Sequence, residues 1–363
     1  MAITQEQVLD ALKFVIDPDL GKDLVTLNMI DDIKIDGKNV AFTVNLTTPA
    51  CPMKDQIHRA CENAIKELVD KDAVTKINMS SKVTSGGGIS SSGDELLPQV
   101  KNIIAVASGK GGVGKSTVAA NLAVALAKTG ASVGLVDTDI YGPSVPTMFG
   151  VKNERPNINT QRKLIPLEKH GVKLLSMGFL VGVDEAVVWR GPMVSSAVKQ
   201  FLTEAIWGSL DYLIMDLPPG TGDIQLTIVQ TVPLSGAVIV STPQDVALDD
   251  ARKGVAMFRK VNVPVLGIVE NMAYFIPPDA PDKKYYIFGQ DGARNLAEEL
   301  KSPFLGEIPL QQPIREGGDS GRPVALDEDE NGTFTLLAQK VAQQISIRNA
   351  GMSPTEKIEI QFK

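Results

Sequence analysis

NIIAVASGKGGVGKST, residues 102–117, is the stretch that decides the fold of this chain. An apolar run of β-strand composition leads into a glycine-rich loop and then a helical pattern, so the stretch satisfies G-x-x-x-x-G-K-[ST] in its strand–loop–helix context. The loop residues are Gly109, Lys110, Gly111, Gly112, Val113, Gly114, Lys115, Ser116 and Thr117. Glycines let the backbone turn tightly and present N–H groups to phosphate oxygens. The pattern predicts a nucleoside-triphosphate cradle in which Lys115 contacts the β- and γ-phosphates and Ser116 coordinates Mg²⁺.

Short apolar runs alternate with amphipathic stretches beyond this loop. Candidate strands lie at 132–137, 172–177, 211–216, 236–242, 264–271 and 303–309, and candidate helices at 115–128, 193–206 and 246–260. This alternation predicts an α/β fold in which a parallel, doubly wound sheet carries helices on both faces. Such sheets bind ligands at the carboxyl ends of their strands, which is where the remaining polar motifs fall.

Aspartates follow two of these strands. VDTD places Asp137 and Asp139 just past one strand, and DYLIMD places Asp216 at the end of another. A carboxylate in this position can hold Mg²⁺ directly or through water. A single aspartate at a strand end is more often a turn former or a helix cap. Two such sites beside a phosphate cradle favour the functional interpretation, most strongly for Asp216.

Asn271 follows the apolar run in GIVEN, where its amide can read the edge of an adenine ring. The alternative is a turn or helix cap. The chain also lacks the N-K-x-D string by which guanine-binding families read their base, so ATP is the expected nucleotide.

The composition excludes several other classes of protein. The net charge is −7, and no basic face suggests a general nucleic-acid or membrane-surface binder. No run approaches the ~18 apolar residues that cross a bilayer, and the first residues lack the layout of a signal peptide. A cytoplasmic location is therefore expected. Only two cysteines are present, which excludes a disulfide framework.

The segment SSKVTSGGGISSSGDELLP, residues 80–98, has the composition of a flexible linker. We therefore divide the chain into a domain at 1–80, a linker at 81–98, a P-loop domain at 99–350 and a tail at 351–363. The first domain combines helical patterns at 5–16 and 53–70 with a hairpin around Asp36-Gly37 and a strand at 73–79, which predicts a small α+β unit.

The motifs taken together resemble the Mrp/ApbC family of iron–sulfur cluster carrier ATPases, which are similar to MinD and ParA. The segments that carry the resemblance are ASGKGGVGKSTVAANLAVALA, VDTDIYGPSVP, WRGPMVSSAVKQF, DLPPGTGDIQLT, STPQDVALDDARKG, VENMAYF and IPLQQPIREGGDSGRPV, in order through residues 106–324. Residues 1–80 resemble the SufT-like domain often fused to that family, through DPDLGKDLVTLNMI and TTPACP.

The resemblance implies roles for particular residues. K-G-G-x-G-K-[ST] marks the deviant form of the cradle, in which a lysine at the position of Lys110 crosses a dimer interface to the nucleotide of the partner. The alternative for Lys110 is a solvated surface charge. By the same resemblance, Asp139 positions the attacking water and Asp216 lies on the Mg²⁺ side, so Lys110, Lys115, Asp139 and Asp216 are the expected catalytic set in a homodimer.

The family's cysteine pair is absent. Most members carry C-x-x-C shortly after ENM-x-YF, where this chain has IPPDAPDKKYYIFG, with Pro277 and Ala280 at the equivalent positions. Cys51 is the remaining candidate ligand, because it precedes a helix whose N-terminus is expected to lower the pKa of the thiol. The alternative is an inert small hydrophobe, which is also the expected role of Cys61.

Three functions follow as hypotheses. The first is an ATPase that carries an iron–sulfur cluster, expected to be of the [4Fe–4S] type, and delivers it to apo iron–sulfur proteins, with cluster scaffold proteins as further partners. The second is a positioning switch of the MinD/ParA type, which the acidic balance and the fused cysteine-bearing domain disfavour. The third is a scaffold ATPase that binds no cluster of its own.

Overall fold

A computed structural model of the chain describes residues 3–85, 97–179 and 191–351, without the side chains of residues 191, 192, 194 and 195. It divides into two compact units. Among the described residues, one unit contains those up to Ser85 together with those from Ala342 onwards, and the other contains those between them. Most of the predicted linker at 81–98 and of the tail at 351–363 lies outside the described residues.

The first unit is a three-stranded sheet with two helices. Its elements are α1 (Gln5–Leu12), β1 (Ile30–Asp36), β2 (Asn39–Leu46), α2 (Lys54–Leu68) and β3 (Val74–Ser81). β1 pairs antiparallel with β2 around the expected turn, where Gly37 has a φ of +60°, and β3 pairs parallel with β2. The core lies between the sheet and the helices and includes Leu12, Phe42, Val44, Ile57, Cys61 and Ile65.

The first helix is shorter than its sequence pattern suggests. α1 ends at Leu12 rather than at Ile16, which instead bridges Asp23. The reason is a tight loop in which Asp17 Oδ1 accepts hydrogen bonds from the backbone N–H groups of Asp19 and Leu20. Because a residue that precedes proline is disfavoured in the helical region, the chain leaves the helix before Pro18.

The end of the last helix belongs to the first unit. Gln343 Nε2 donates to Asp19 Oδ1 at 2.6 Å, and Asn349 Nδ2 donates to the carbonyl of Thr84 at 2.8 Å. Our sequence division, which stays a prediction, placed residues 342–350 in the P-loop domain. The packing instead places these residues in the first unit. Their hydrogen bonds join positions more than 250 residues apart, and contacts at that separation leave no local pattern in the sequence.

The second unit is a layered α/β domain. Its strands are β4 (Val100–Ala107), β5 (Val133–Asp137), β6 (Asn157–Ile158), β7 (Leu164–Ile165), β8 (Leu167–Lys169), β9 (Val172–Ser176), β10 (Leu210–Asp216), β11 (Gly236–Ser241), β12 (Val265–Phe275) and β13 (Phe304–Leu310). Its helices are α3 (Lys115–Lys128), α4 (Val145–Met148), α5 (Gly191–Thr203), α6 (Asp223–Thr231), α7 (Asp245–Lys260), α8 (Gly292–Glu299), α9 (Gln312–Ser320) and α10 (Thr333–Gly351), the last of which ends in the first unit.

Eight strands form one sheet in the order β13-β12-β11-β4-β10-β5-β9-β8. All neighbours are parallel except β8, which pairs antiparallel with β9 at the edge. The predicted doubly wound parallel sheet and its seven strands are confirmed, whereas the edge strand β8 and the β6–β7 pair were not predicted. Among the described helices, none is both long enough and apolar enough to span a lipid bilayer.

This topology sets the position of the site. β4 lies in the middle of the sheet, between β10 and β11, so the loop that follows it emerges at the centre of the carboxyl edge. Asp216, the last residue of β10, is in register with Asp137, the last residue of β5. Both carboxylates are therefore at the level of the glycine-rich loop.

Candidate functional site

The glycine-rich loop joins β4 to α3. β4 ends at Ala107 and α3 begins at Lys115. Gly112 and Gly114 have φ angles of +83° and +84°, in the left-handed region that glycine enters without the steric cost other residues incur. The loop thus combines a glycine-dependent backbone with the N-terminus of a 14-residue helix, which are the two elements of a backbone anion site.

Two of the glycines are also required by packing. A Cβ on Gly109 would lie 2.1 Å from the carbonyl carbon of Asp250 in α7, and one on Gly114 would lie 2.1 Å from Nδ2 of Asn271. By contrast, a Cβ on Gly111 would lie 3.9 Å from the ring of Pro219, an ordinary contact. The cradle therefore depends on glycine at Gly109 and Gly114 even before a phosphate binds.

Replacing Gly109 by alanine is expected to destabilise the nucleotide-free protein by about 1–3 kcal/mol, because the added carbon overlaps a backbone group that cannot move aside. Gly111→Ala is the matched control, since the same added carbon meets only the Pro219 ring. Urea denaturation of the two variants gives the comparison. Equal free energies of unfolding would show that the backbone of α7 does not pack closely against Gly109.

Lys115 and Asp216 form a buried ion pair at the base of the cradle, with exposures of 6% and 0%. The Lys115 ammonium also lies 3.2 Å from Ser116 Oγ. Burial raises the pKa of the Asp216 carboxyl, and the Lys115 charge opposes that rise. Asp216 Oδ2 is buried and has no hydrogen-bonding partner among the described residues. An unpartnered carboxylate oxygen beside a hydroxyl fits Mg²⁺, which takes oxygen ligands.

Asp137, to which the sequence motifs assign no role of its own, organises the loop that follows β5. It is fully buried. Its Oδ1 accepts from the backbone N–H of Asp139 at 3.1 Å, and its Oδ2 accepts from the hydroxyl of Ser176 at 3.0 Å and the N–H of Val145 at 3.2 Å. Burial and the nearby Asp216 charge raise the pKa of the Asp137 carboxyl. Its place at the end of a strand buried along its whole length could have indicated this internal role.

Asp139 lies in that loop and is 8% exposed. Its Oδ1 accepts from the backbone N–H groups of Tyr141 and Gly142, each at 3.2 Å, which fixes the direction of the carboxylate. One carboxylate oxygen of Asp139 therefore stabilises a turn, which is the alternative role considered for it in the sequence analysis. The Asp139 charge also contributes to raising the pKa of Asp216, so the two carboxylates are close enough to interact.

Hydrogen bonds join the loops after β4, β5 and β10. The backbone N–H of Gly220 donates to the carbonyl of Ser108 at 2.9 Å, while Thr138 donates to the Asp216 carbonyl from its N–H at 3.0 Å and its hydroxyl at 2.8 Å. Lys115, Asp139 and Asp216 are therefore brought together at one point of the sheet edge. These hydrogen bonds tie the chain after β10 to the loop after β4, and the end of β10 to the loop after β5.

Asn271 supports the cradle directly. It is 7% exposed, and its Nδ2 donates to the carbonyl of Val113 at 2.8 Å. This hydrogen bond holds the loop from the β12 side and was not predicted from the sequence. Recognition of adenine by Asn271 stays a prediction.

Lys110 is the exposed lysine of the loop. Its carbonyl accepts from Ser108 Oγ at 2.9 Å, which orders the backbone there. The Lys110 ammonium forms no ion pair within residues 3–85, 97–179 and 191–351. Unlike Lys115, it is exposed, and among the described residues it forms no ion pair with the buried carboxylates of its own chain.

Cys51 is half-buried at the entrance to α2, two residues before the helix cap Met53. Burial raises the pKa of its thiol to about 11, with the charges of Asp19 and Asp17 adding to the rise and the Met53 N–H opposing it. The expected lowering of the thiol pKa is therefore wrong. The thiol lies before the helix and beside two carboxylates, so desolvation outweighs the helix terminus.

The pH dependence of alkylation tests this environment. We expect the rate of Cys51 carboxymethylation by iodoacetate to rise with pH through the alkaline range towards a midpoint near 11, since only the thiolate reacts. Cys61 lies in the core with no exposed surface and a thiol pKa raised to about 12, so Cys61→Ala should leave the profile unchanged. A rate that levels off below pH 9 would contradict the assignment.

The segment that replaces the family's cysteine pair follows β12. Ala280 donates its backbone N–H to the carbonyl of Pro277 at 3.1 Å, in a turn. Neither side chain can ligate a metal. Within the described residues, no group of three or more histidine, cysteine, aspartate or glutamate side chains has the geometry of a metal centre.

Two protein-family models match this chain. Residues 99–346 match the sequence model of the NUBPL iron-transfer P-loop NTPase family, and residues 5–79 match that of iron–sulfur cluster assembly proteins. The iron–sulfur cluster carrier protein of Synechocystis sp. is 50% identical over 351 residues, which cover 95% of this chain and 99% of the relative. The iron–sulfur cluster transfer protein NUBPL of Dictyostelium discoideum is 50% identical over 254 residues, covering 69% and 78%.

A solved structure agrees with this assignment. The nucleotide-binding protein from Archaeoglobus fulgidus in complex with ADP is 41% identical, with a TM-score of 0.57, and the match covers 64% of this chain and 90% of that one. The resemblance inferred from the sequence motifs is thereby confirmed. The chain belongs to the NUBPL iron-transfer P-loop NTPase family.

Proposed function

We propose that this protein is an ATPase that carries an iron–sulfur cluster and transfers it to apo iron–sulfur proteins. The observation that carries the proposal is the combination, in one chain of this family, of the complete phosphate cradle and the cluster-assembly domain that contains Cys51. The names of the relatives support the cargo, and the ADP in the Archaeoglobus protein supports the nucleotide.

Lys115 has two alternative partners in this mechanism. In the structure it neutralises Asp216. When ATP binds, the lysine turns to the β- and γ-phosphates, which leaves Asp216 and Ser116 as the residues that would hold Mg²⁺. The metal would supply charge neutralisation for the phosphate groups. Exchange of one buried partner for another links nucleotide binding to the position of β10 and the loop after it.

Asp139 orients the water that attacks the γ-phosphate. The backbone N–H groups of Tyr141 and Gly142 fix its carboxylate, and Asp137 fixes the loop that carries it. A rigidly held acceptor is what the positioning of a small nucleophile requires. Asn271 contributes by holding the cradle and by offering its amide oxygen to adenine.

A homodimer completes the site in this proposal. Lys110 is exposed, and within the described residues it has no acidic partner of its own chain, so it is free to contact the nucleotide of the second copy. Cys51 of each copy provides one thiolate, so the dimer provides two ligands to a [4Fe–4S] cluster, with thiols of the apo-protein or of a cluster scaffold protein as the other two. Transfer then proceeds by exchange of these outer ligands in the cytoplasm.

Anaerobic reconstitution followed by transfer tests the proposal. The protein is loaded with iron and sulfide, desalted, and mixed with an apo-enzyme whose activity depends on a [4Fe–4S] cluster. We expect recovery of that activity to be faster with MgATP than with a non-hydrolysable analogue. ATP turnover without any bound iron after desalting would instead identify a scaffold ATPase that holds no cluster of its own, and would overturn the carrier function.

A further inference from the structure

The end of β9 is joined to the end of β5 by a buried hydroxyl group. Ser176 is the last residue of β9 and is in register with Asp137, the last residue of β5. It is completely buried. Its hydroxyl donates to Asp137 Oδ2 at 3.0 Å and accepts from the backbone N–H of Gly178 at 3.0 Å. The donor and an acceptor site of this hydroxyl are therefore both in use within the chain.

Asp137 connects this hydroxyl to the loop after β5. Its Oδ2 also accepts from the backbone N–H of Val145, where α4 begins, and its Oδ1 accepts from the N–H of Asp139. Asp137 thus holds two separate points of the loop. Of its three donors, Ser176 is the one that lies outside the loop, so it fixes the Asp137 carboxylate from the side of β9.

A second contact from the end of β9 reaches the same loop by packing. Gly178 lies in the 3₁₀-helical turn Met177–Phe179, which follows β9. A Cβ on Gly178 would lie 3.0 Å from Cβ and 3.1 Å from Cγ of Pro143, and 3.3 Å from Ser176 Oγ. Carbon atoms pack best at about 3.5–4.0 Å, so there is no room for a side chain between Gly178 and Pro143. Because Pro143 and Asp139 belong to one loop, this contact also bears on the position of Asp139.

We propose that Ser176 and Gly178 are positioning residues for ATP hydrolysis, an inference that rests on the proposed ATPase function. They act through the loop after β5, by a hydrogen bond to Asp137 and by packing against Pro143. The water that attacks the γ-phosphate is oriented by Asp139, and a misplacement of about 1 Å in such a site can cost about 100-fold in rate. Loss of either contact therefore lowers the rate of the chemical step and leaves the affinity for ATP unchanged.

Ser176→Ala and Gly178→Ala test the proposal by two routes. The first removes the hydroxyl, and the second inserts a methyl group that displaces Pro143. We expect kcat to fall about tenfold in each variant, because the loop that carries Asp139 shifts. The Kd for ATP, measured by displacement of a fluorescent ATP analogue, should stay within about twofold. A role in the fold alone would lower the melting temperature without separating kcat from Kd.

Ser235→Ala is the matched control for the loss of a buried hydroxyl. Ser235 is also buried, and its Oγ accepts from the backbone N–H of Ile103 at 3.1 Å. It immediately precedes β11 and therefore lies at the amino edge of the same sheet, opposite the site. Ser235→Ala should lower the melting temperature as Ser176→Ala does, because each leaves a buried N–H without its acceptor, but it should keep the kcat of the wild type.

Turnover within about twofold of the wild type in either Ser176→Ala or Gly178→Ala would overturn the inference while leaving the ATPase function intact. An equal fall of kcat in Ser235→Ala, or a parallel loss of ATP affinity in Ser176→Ala, would also overturn it. Absence of turnover in the wild type would instead remove the proposed function itself. If Ser176→Ala does not fold, Ser176→Cys, which offers only a weak donor, is measured against the same limits. Failure of both to fold would overturn the inference, because the hydroxyl would then be required by the fold.

Discussion

Lys115→Met is expected to abolish ATP turnover and, in the absence of nucleotide, to lower the free energy of unfolding by about 3–5 kcal/mol. The first effect follows from loss of the group that contacts the transferred phosphate. The second follows from the structure, in which Lys115 neutralises a carboxylate that is completely buried. Without the lysine, the buried carboxyls of Asp216 and Asp137 lose the charge that opposes the rise in both of their pKa values. Phosphate release and urea denaturation measure the two effects.

The double variant Lys115→Met/Asp216→Asn separates these effects. It removes both charges together, and replacing a buried ion pair by neutral groups is often close to neutral for stability. We therefore expect the free energy of unfolding to recover by most of the lost amount, whereas ATP turnover stays absent. Lys110→Met is the control for a lysine of the same loop. Because Lys110 is exposed, its removal should change stability by no more than about 0.5 kcal/mol. Turnover that persists in Lys115→Met would contradict the assigned site.

The cradle could be located from sequence because its glycines, lysine and hydroxyl are consecutive. The spacing of these residues is enough to specify the loop geometry, and a preceding strand and a following helix leave few other interpretations of the motif. The parallel sheet followed from alternation of apolar runs and amphipathic helices, and its seven strands were found where expected. Elements without such periodicity, such as the edge strand β8, were missed since two- or three-residue pairings are decided by their neighbours.

The partners of the site residues could not be predicted. The ion pair of Lys115 with Asp216 and the hydrogen bond from Asn271 to Val113 join residues more than 100 positions apart in sequence. For Cys51 the position was predicted correctly, because the residue does precede a helix. The predicted shift of its thiol pKa was wrong, because burial beside Asp17 and Asp19 raises that pKa. Desolvation depends on the whole surrounding packing, which local sequence does not specify.

Cys51→Ala is expected to reduce the iron retained after anaerobic reconstitution from about one cluster per dimer to background. The matched variant Cys61→Ala should retain iron like the wild type, because Cys61 has no exposed surface and packs in the core of the first unit. Iron and sulfide content per chain, together with the visible absorption of the cluster, measure the outcome. Equal and low iron in wild type and Cys51→Ala would leave Cys51 without a role in holding a cluster.

The raised pKa of Cys51 adds a pH dependence to this prediction. A thiol must lose its proton to ligate iron, and for a pKa of about 11 that proton is bound at neutral pH. Each thiolate ligand then makes the apparent affinity rise about tenfold per pH unit below the pKa. Cluster loading should therefore be more complete at pH 8.5 than at pH 7, with a steeper dependence if the Cys51 residues of two chains share the cluster. Loading that does not change with pH in the wild type would mean that the metal is held by groups already ionised at neutral pH, and Cys51 would not be its ligand.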